Sequence, residues 1–390
     1  MKLLLMQPYL NLRGGVERVL LKVAAHYKAP IYTLEHNANA TYLGFGDLEI
    51  RKIEDATPLS GSLPYRASQG LRYGYTFYNL RIKEDYDVIN AHISPSEWAR
   101  HRNERMLWYC HTPPREVYDL YHVRMRSRPY KERFVYAAMA KAYKIIAKRV
   151  VRDIERIATN SNTTRKRIEE YFSRDASVIN PGVDVDEYSN RGDEKYFFYP
   201  SRVIVNKRQD YVIEAFKRFS KSMNGKGYAL VLAGALSKDP EHIAYYDKIK
   251  KMAKGSRVYI KTGLQDNEIR KLYSRSTAVL FSAINEDFGF VPLEAMASGK
   301  PIISVNEGGP RETILDEKTG FLVNSPAEMA SKMKFIAEHG KLAEKMGKEG
   351  RRHVSKNYTW SEFFEKFDAE LRKVKDGKEA TSRIQGREGT

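Results

Sequence analysis

Toward its C-terminal end the chain reads Asn285-Glu286-Asp287-Phe288-Gly289-Phe290-Val291-Pro292-Leu293-Glu294-Ala295-Met296-Ala297-Ser298-Gly299. Two carboxylates, Glu286 and Glu294, are separated by seven residues, with Gly289 in the loop between them. A helix is expected to start near the second. Backbone N–H groups at a helix N-terminus favour an anion, and the flanking carboxylates can accept hydrogen bonds from hydroxyls. The arrangement therefore suits a phosphorylated sugar. The plainer alternative is a strand–turn–helix step in which Glu286 is solvated and Glu294 complements the helix macrodipole.

Outward from this stretch, short apolar runs alternate with longer helical patterns. Strands are expected at Lys2–Gln7, Pro30–Leu34, Asp87–Ala91, Met106–Cys110, Arg156–Thr159 and Ser177–Ile179. Helical periodicity marks Val16–Tyr27, Tyr130–Arg152 and Asn162–Tyr171. The polar, turn-rich segment Asn180–Asp193 interrupts the rhythm. Alternation restarts with strands at Tyr196–Tyr199, Tyr228–Leu232, Val258–Ile260, Ala278–Phe281, Pro301–Ser304 and Gly320–Val323. Helices between them include Asp210–Phe219, Asn267–Tyr273 and Ala327–Glu338. This alternation predicts parallel sheets covered by helices. The expected organisation is a first α/β domain over 1–181, a linker over 182–194, a second α/β domain over 195–357, a final helix over 358–374 and a disordered polar tail over 375–390.

Length and composition agree with two domains. A chain of 390 residues exceeds one ordinary core, and 42% hydrophobic residues can fill two. No run approaches the ~18 uncharged apolar residues needed to cross a bilayer, and the opening MKLLLMQPYL reads as a buried strand rather than a signal peptide. The single cysteine, Cys110, excludes an internal disulfide and a cysteine-based metal site. It lies in an apolar run and reads as an inert buried thiol in a cytoplasmic protein.

The net charge of +18 is uneven. Residues 1–190 carry 30 Lys/Arg against 22 Asp/Glu, and the whole excess of +8 is already present in residues 115–170. A solvated helix face, a surface for anionic lipid headgroups and a nucleic-acid surface all fit such a segment. No nucleic-acid-binding motif accompanies it, which makes nucleic acid the weakest of the three.

Each domain offers an anion site after a strand. In the first, Gly14-Gly15 precedes a helix, and glycine lets the backbone approach a phosphate closely. In the second, Ser201-Arg202 and Asn206-Lys207-Arg208 follow the first strand. Arg202 can grip phosphate bidentately and Lys207 supplies a compact charge. A further pair, Gly308-Gly309, follows the strand near Val305. His111 follows a strand directly and is stiffened by Pro113-Pro114. The two Asp-x-Asp strings, Asp85-Tyr-Asp87 and Asp184-Val-Asp186, begin a strand and lie in the linker, so no catalytic metal is expected.

Together these residues resemble the retaining GT-B glycosyltransferases of group 1, family 4 type, over roughly residues 1–374. The signs are Gly14-Gly15, Ser201-Arg202 with Lys207, Gly263-Leu264 before a helix, and Glu286 with Glu294 followed by Ala-Met-Ala-Ser-Gly299. The stretches Trp108–Arg115 and Thr159–Asp184 look more like the mannosyltransferases that build polysaccharides and lipid-linked glycans. Asp287 stands where the family often has Gly or Ser.

The resemblance implies two Rossmann-like domains facing across a cleft, with the C-terminal helix crossing back to the first. It implies transfer of a mannose- or glucose-type hexose from a GDP- or UDP-sugar to a glycan or polyprenyl-linked acceptor, with retention and without a metal or other cofactor. Arg202 and Lys207 would bind the diphosphate, helped by Gly14 and Gly15. Glu294 would take the ribose, and Gly263 and Leu264 the base. Glu286, Asp287, Phe288, Gly289 and Phe290 would hold the donor sugar and leaving phosphate, with His111 touching the sugar from the first domain. Glu286 is expected to position the sugar rather than attack it. Peripheral attachment to the cytoplasmic face of an anionic membrane through 115–170 would bring a lipid-linked acceptor. Tyr65, Tyr73, Tyr75 and Tyr78 are candidates for the acceptor site or for core. A nucleotide-sugar epimerase of the same architecture, a pyridoxal-dependent phosphorylase and a non-catalytic membrane- or nucleic-acid-binding protein are the competing readings. No lysine marks the phosphorylase.

Overall fold

The structure is a computed structural model and describes residues 1–54, 65–222, 227–237 and 239–377. The chain divides into two compact units, one formed by Met1–Asn180 with the chain from Phe364 onward, the other by Pro181–Phe363.

The first unit is built on a parallel sheet with spatial order Ile50–Lys52, Ile31–Thr33, Leu3–Met6, Val88–Ala91, Met106–Cys110, Arg156–Thr159, Ser177–Val178. Its central strands are buried along their whole length. That is the signature of a sheet covered on both faces, and it explains why these segments read as continuous apolar runs. The opening MKLLLM is such a strand, with Leu4, Leu5 and Met6 fully enclosed. Helix Gly15–Tyr27 turns Val19, Leu20, Val23 and Ala24 inward at helical spacing.

The second unit repeats the plan with parallel order Val258–Lys261, Ala229–Ala233, Tyr196–Pro200, Ala278–Phe281, Ile302–Val305, Gly320–Val323. Tyr196–Pro200 comes first in sequence but lies inside the sheet. The chain builds outward on one side of it and then crosses to the other.

Several elements depart from the expected ones. The stretch 182–194 is not a linker. Val183 and Tyr188 enter the second unit's core, and the amides of Arg191 and Glu194 donate to the carbonyls of Ser274 and Arg275. Turn-rich composition concealed packing contacts that only the tertiary structure supplies. Helix Tyr65–Asn79 escaped the periodicity reading because tyrosine, glycine, serine and threonine are indifferent helix formers. Helix Gly340–Asn357 escaped it because glycines occupy its inner face. A Cβ at Gly350 would come within 2.9 Å of the Met296 side chain, and one at Gly347 would strike the Gly299 carbonyl.

The last helix spans Trp360–Lys375, and its part from Phe364 belongs to the first unit. There Phe367, Leu371 and Val374 are enclosed, Phe364 stacks on His26 at 3.8 Å, and Tyr27 donates to Asp368 at 2.7 Å. Glu370, nearly enclosed, accepts from Arg156 at 2.8 Å and from Ser177 at 3.0 Å. The tail expected over 375–390 lies outside the described residues from 378 onward.

Candidate active site

Strands Tyr196–Pro200 and Ala278–Phe281 are parallel neighbours, so the loops leaving their C-terminal ends emerge side by side. This is the point where the second sheet changes direction, the place where open α/β sheets bind ligands. The two loops are zipped together. Ile284 donates its amide to the Asn206 carbonyl at 2.9 Å, and the Ser282 hydroxyl reaches the carbonyls of Lys207 and Arg208, both at 2.9 Å. Arg208 returns a bond to the Ser282 carbonyl at 2.6 Å and pairs with Glu307 at 2.9 Å. The consequence is that Lys207 Nζ meets Glu286 Oε2 at 2.7 Å, with both side chains part-buried. An ammonium carries three donors, so Glu286 orients it while two N–H groups remain for a ligand.

The glycine pair at 308–309 shapes the other wall. Gly308 has φ +60, and a Cβ there would strike the backbone of Asn285 and Glu286. Gly309 donates its amide to the Glu286 carbonyl at 2.7 Å. Asn285 is itself left-handed (φ +42), and its amide bonds Glu307 at 3.2 Å. Glu286 is therefore fixed through its backbone as well as through its salt bridge.

Helix Phe290–Ala297 begins after Gly289, which caps it at φ +88. The helix thus starts four residues before Glu294 rather than at it, because glycine, free to adopt a positive φ, sets the boundary. Glu294 is mid-helix and only 7% exposed, where it accepts from the Tyr273 hydroxyl at 2.6 Å. A solvated, dipole-complementing role does not describe a carboxylate so enclosed. Phe288 is buried against Phe290 and Tyr358, so its ring belongs to the core and only its backbone faces the loop. Asp287 is part-exposed beside Glu286.

Arg202 stands in the same loop as Lys207. It is exposed, and its guanidinium makes no hydrogen bond or ion pair with the described residues, while its carbonyl is held by Gln209 at 2.8 Å. Gly263 (φ +72) and Leu264 follow the edge strand Val258–Lys261, two strands away from Tyr196–Pro200 but at the same end of the sheet. A hollow of about 710 Å³ lined by Tyr196, Ala229, Arg257, Tyr259 and Lys271 shares only Leu264 with the expected donor residues. It starts from the opposite ends of the strands and is not this site. Sequence reasoning missed Arg208, Ser282 and Glu307, which hold the two loops together. The one available signal was the basic pair Lys207-Arg208, which reads as a charged surface.

In the first unit, Gly14 caps helix Gly15–Tyr27 in an extended conformation. A Cβ on Gly14 would come within 2.8 Å of a Glu17 carboxylate oxygen, and Glu17 is buried. The Glu17 carboxyl thus occupies the space beside this turn. His111 is 6% exposed, and its carbonyl accepts from Asn160 at 2.9 Å. Its ring contacts His92, with Nε2 to Nδ1 at 2.9 Å. Burial, and then the neighbouring His92, hold the His111 imidazole well below its ordinary value, and burial takes His92 down to about 3. Both rings are neutral at physiological pH.

Cys110 is fully enclosed, as an inert thiol should be. Tyr73 is core, Tyr78 stacks on His101 at 3.8 Å, Tyr75 is exposed, and the side chain of Tyr65 lies outside the described residues. The basic segment divides in two. Arg115, Arg124 and Arg167 pair with Asp119 or Glu116, and Arg156 pairs with Glu370. Arg126, Lys131, Lys141, Lys148 and Arg149 are exposed. They flank Tyr130 (85% exposed) and Phe134 (82% exposed), neighbours one turn apart on helix Tyr130–Asp153. No helix among the described residues is long and apolar enough to cross a membrane, and no cluster of His, Cys, Asp or Glu among them could hold a metal ion.

Comparison with known proteins meets this geometry. The family model "Glycosyltransferase Family 4" matches residues 13–187, and "Glycosyl transferases group 1" matches residues 184–353. The alpha-1,3/1,6-mannosyltransferase ALG2 of Mus musculus is 24% identical over 400 residues, covering 90% of this chain and 91% of that protein. Among solved structures, Anabaena HepE in complex with UDP and glucose superposes with TM-score 0.71 at 17% identity, over 95% of this chain and 99% of that one. A sucrose-phosphate synthase from Thermosynechococcus elongatus superposes with TM-score 0.73 at 17% identity, over 97% and 100%. The two structural likenesses establish the two-domain α/β fold of the GT-B type.

Proposed function

We propose a specific reaction for this chain, which belongs to the group 1 glycosyltransferases and is a hexosyltransferase. It moves a mannose-type hexose from a nucleoside diphosphate sugar to a lipid-linked glycan, retaining anomeric configuration and requiring no metal ion. The observation that carries the reading is the Lys207–Glu286 pair at 2.7 Å, seated at the switch point of the second sheet. Cleavage of the sugar–phosphate bond develops negative charge on the departing diphosphate. Lys207, the free guanidinium of Arg202 and the N-terminus of helix Phe290–Ala297 are fixed positive groups that meet it. Preorganised charge of this kind does the work that a divalent cation does elsewhere. Glu286 holds Lys207 in place and accepts from a sugar hydroxyl, while Glu294, oriented by Tyr273, receives the ribose hydroxyls. His111 accepts from a hydroxyl of a substrate sugar.

Mannose is favoured by the name of the mouse relative, and glucose is the alternative suggested by the sugar in the Anabaena complex. The lipid-linked acceptor is supported by the exposed Tyr130 and Phe134 on a helix that also carries exposed basic side chains, which suits an anionic membrane surface. Thermal-shift titration with GDP-mannose, UDP-glucose and ADP-glucose, followed by radiolabelled transfer to a polyprenyl-linked acceptor in excess EDTA, tests the proposal. GDP-mannose should raise Tm most and transfer should survive EDTA. Activity restored only by manganese would remove the metal-free mechanism, and hydrolysis or epimerisation of donor without acceptor would remove the transfer.

A further inference from the structure

A chain of hydrogen bonds buried behind His111 has no part in the reaction as described so far. It begins at a group whose role is unambiguous. The Leu107 carbonyl can only accept, so the Asn90 side chain, 3.0 Å away through Nδ2, turns its amide nitrogen toward it. Asn90 Oδ1 then necessarily faces His92 Nε2 at 2.8 Å. An amide oxygen cannot donate, so the proton of His92 is on Nε2. His92 is fully buried and its ring neutral, which leaves Nδ1 as a lone pair. That lone pair faces His111 Nε2 at 2.9 Å, so the proton of His111 is on Nε2 in turn. Polarity thus runs one way through four residues. At its end, His111 Nδ1 carries a lone pair and has no hydrogen-bond partner among the described residues.

The backbone reinforces the arrangement. Trp108 Nε1 donates to the His92 carbonyl at 3.2 Å, and Asn160 and Thr164 hold the His111 carbonyl. His92 and His111 leave adjacent parallel strands, Val88–Ala91 and Met106–Cys110, at their C-terminal ends. These ends adjoin the place where the first sheet changes direction, between Leu3–Met6 and Val88–Ala91. A partner on the far nitrogen of a histidine determines which nitrogen works and how the ring is aimed.

We propose that Asn90 and His92 are positioning residues that lock His111 in its Nε2–H tautomer, so that its Nδ1 can only accept a hydrogen bond, from a hydroxyl of a substrate sugar that reaches this end of the first sheet. The proposal rests on the reading of His111 as a sugar contact. It assigns that contact a direction. A sugar position carrying a hydroxyl is recognised, and one carrying only an acceptor, such as a fluorine or a methoxy group, is rejected.

The test combines a spectroscopic and a kinetic readout on the full chain. Nitrogen-15 NMR of histidine-labelled protein at pH 7, assigned with His92→Gln and His111→Gln, reports which ring nitrogen bears each proton. Both rings should be neutral with the proton on Nε2. His92→Phe removes the acceptor, so the His111 proton should redistribute toward Nδ1 and turnover should fall about 10- to 100-fold. His92→Gln, whose amide oxygen can take the bond from His111, should recover most of that loss. A wild-type His111 protonated on Nδ1 would overturn the proposal, and so would an unchanged spectrum and turnover in His92→Phe. Should His92→Phe fail to fold, the wild-type spectrum and the Asn90→Ala variant decide on the same criteria. Wild-type turnover in His111→Ala would sink the sugar-contact reading itself, whatever the spectrum shows.

Discussion

Lys207 and Glu286 are 79 positions apart in the sequence and 2.7 Å apart in space, brought together because the strands before them are parallel neighbours. Neither side chain chooses its place alone. Ser282, Arg208 and Asn206 tie the two loops at the backbone, and the ammonium and carboxylate meet as a result. If Lys207 faces the leaving diphosphate, Lys207→Ala should lower kcat by about 100-fold, the usual effect of removing one preorganised charge-stabilising group. Steady-state transfer assays measure it, and wild-type turnover would displace the diphosphate from this locus.

Gly308 makes a close backbone approach in the site. Gly308→Ala would place a Cβ against the Asn285–Glu286 backbone at φ +60. The strained conformation alone costs about 1–3 kcal/mol, and the loop bearing Glu286 has to move to accommodate the methyl group. A lowered Tm together with a loss of kcat is expected. A variant with unchanged kinetics would show that the glycine pair does not set the position of Glu286.

The Tyr273 hydroxyl holds one oxygen of Glu294 at 2.6 Å. Tyr273→Phe keeps the ring in the core and deletes that bond, at about 1–3 kcal/mol for the buried partner. Donor KM should rise with little change in kcat, because ribose binding persists unchanged through the transition state. Isothermal titration with nucleoside diphosphate alone separates this effect from any loss of sugar contacts.

Glu370 links the last helix to the first unit. Burial raises its pKa, but hydrogen bonds from Arg156, Lys373 and Ser177 outweigh that effect and hold it below the ordinary value of 4.5. A carboxyl depressed on folding contributes stability above its unfolded pKa and loses it as pH falls through the folded value. Urea unfolding at pH 7 should therefore find Glu370→Gln less stable than wild type, with the gap narrowing as pH falls below the ordinary carboxyl value of 4.5 and through the depressed folded value. A gap that persists in acid would assign the effect to packing rather than charge.

Tyr130 and Phe134 are exposed on one helix face beside Lys131, Lys141 and Lys148. Burying an aromatic ring in a bilayer interface gains about 1.5–3 kcal/mol, and each nearby cation about 1 kcal/mol on an anionic surface. Phe134→Asp should reduce co-sedimentation with phosphatidylserine vesicles by about tenfold or more, with soluble-acceptor transfer unaffected. Equal binding of wild type to neutral and anionic vesicles would exclude an electrostatic surface.

Much of this was legible before the structure. Strands Ala278–Phe281 and Gly320–Val323 stand where the apolar runs put them, because a strand covered on both faces must be apolar throughout. Arg202, Lys207, Glu286 and Glu294 were singled out by the spacing that carries the family resemblance, and of these the structure puts Lys207 and Glu286 in contact. The start of helix Phe290–Ala297 was misplaced because proline at 292 and the apolar residues around it gave no cap signal except Gly289 itself. The pairing of Arg208 with Glu307 was not legible because it spans 99 positions, and Arg208 beside Lys207 reads only as surface charge. The segment 182–194 looked like a linker because loop composition reports backbone solvation and says nothing about the few buried side chains, Val183 and Tyr188, that decide where it packs.

The helix end that completes the first unit has a consequence for biosynthesis. Phe367, Leu371 and Val374 are fully enclosed in a unit whose other residues stop at Asn180, while the second unit is one uninterrupted stretch, Pro181–Phe363. During translation the half that leaves the ribosome first cannot finish its core until the last turns of helix emerge, whereas the half made later can fold as soon as it is released. The nascent N-terminal half must wait with an open apolar seam, and it is there that a chaperone would find its client.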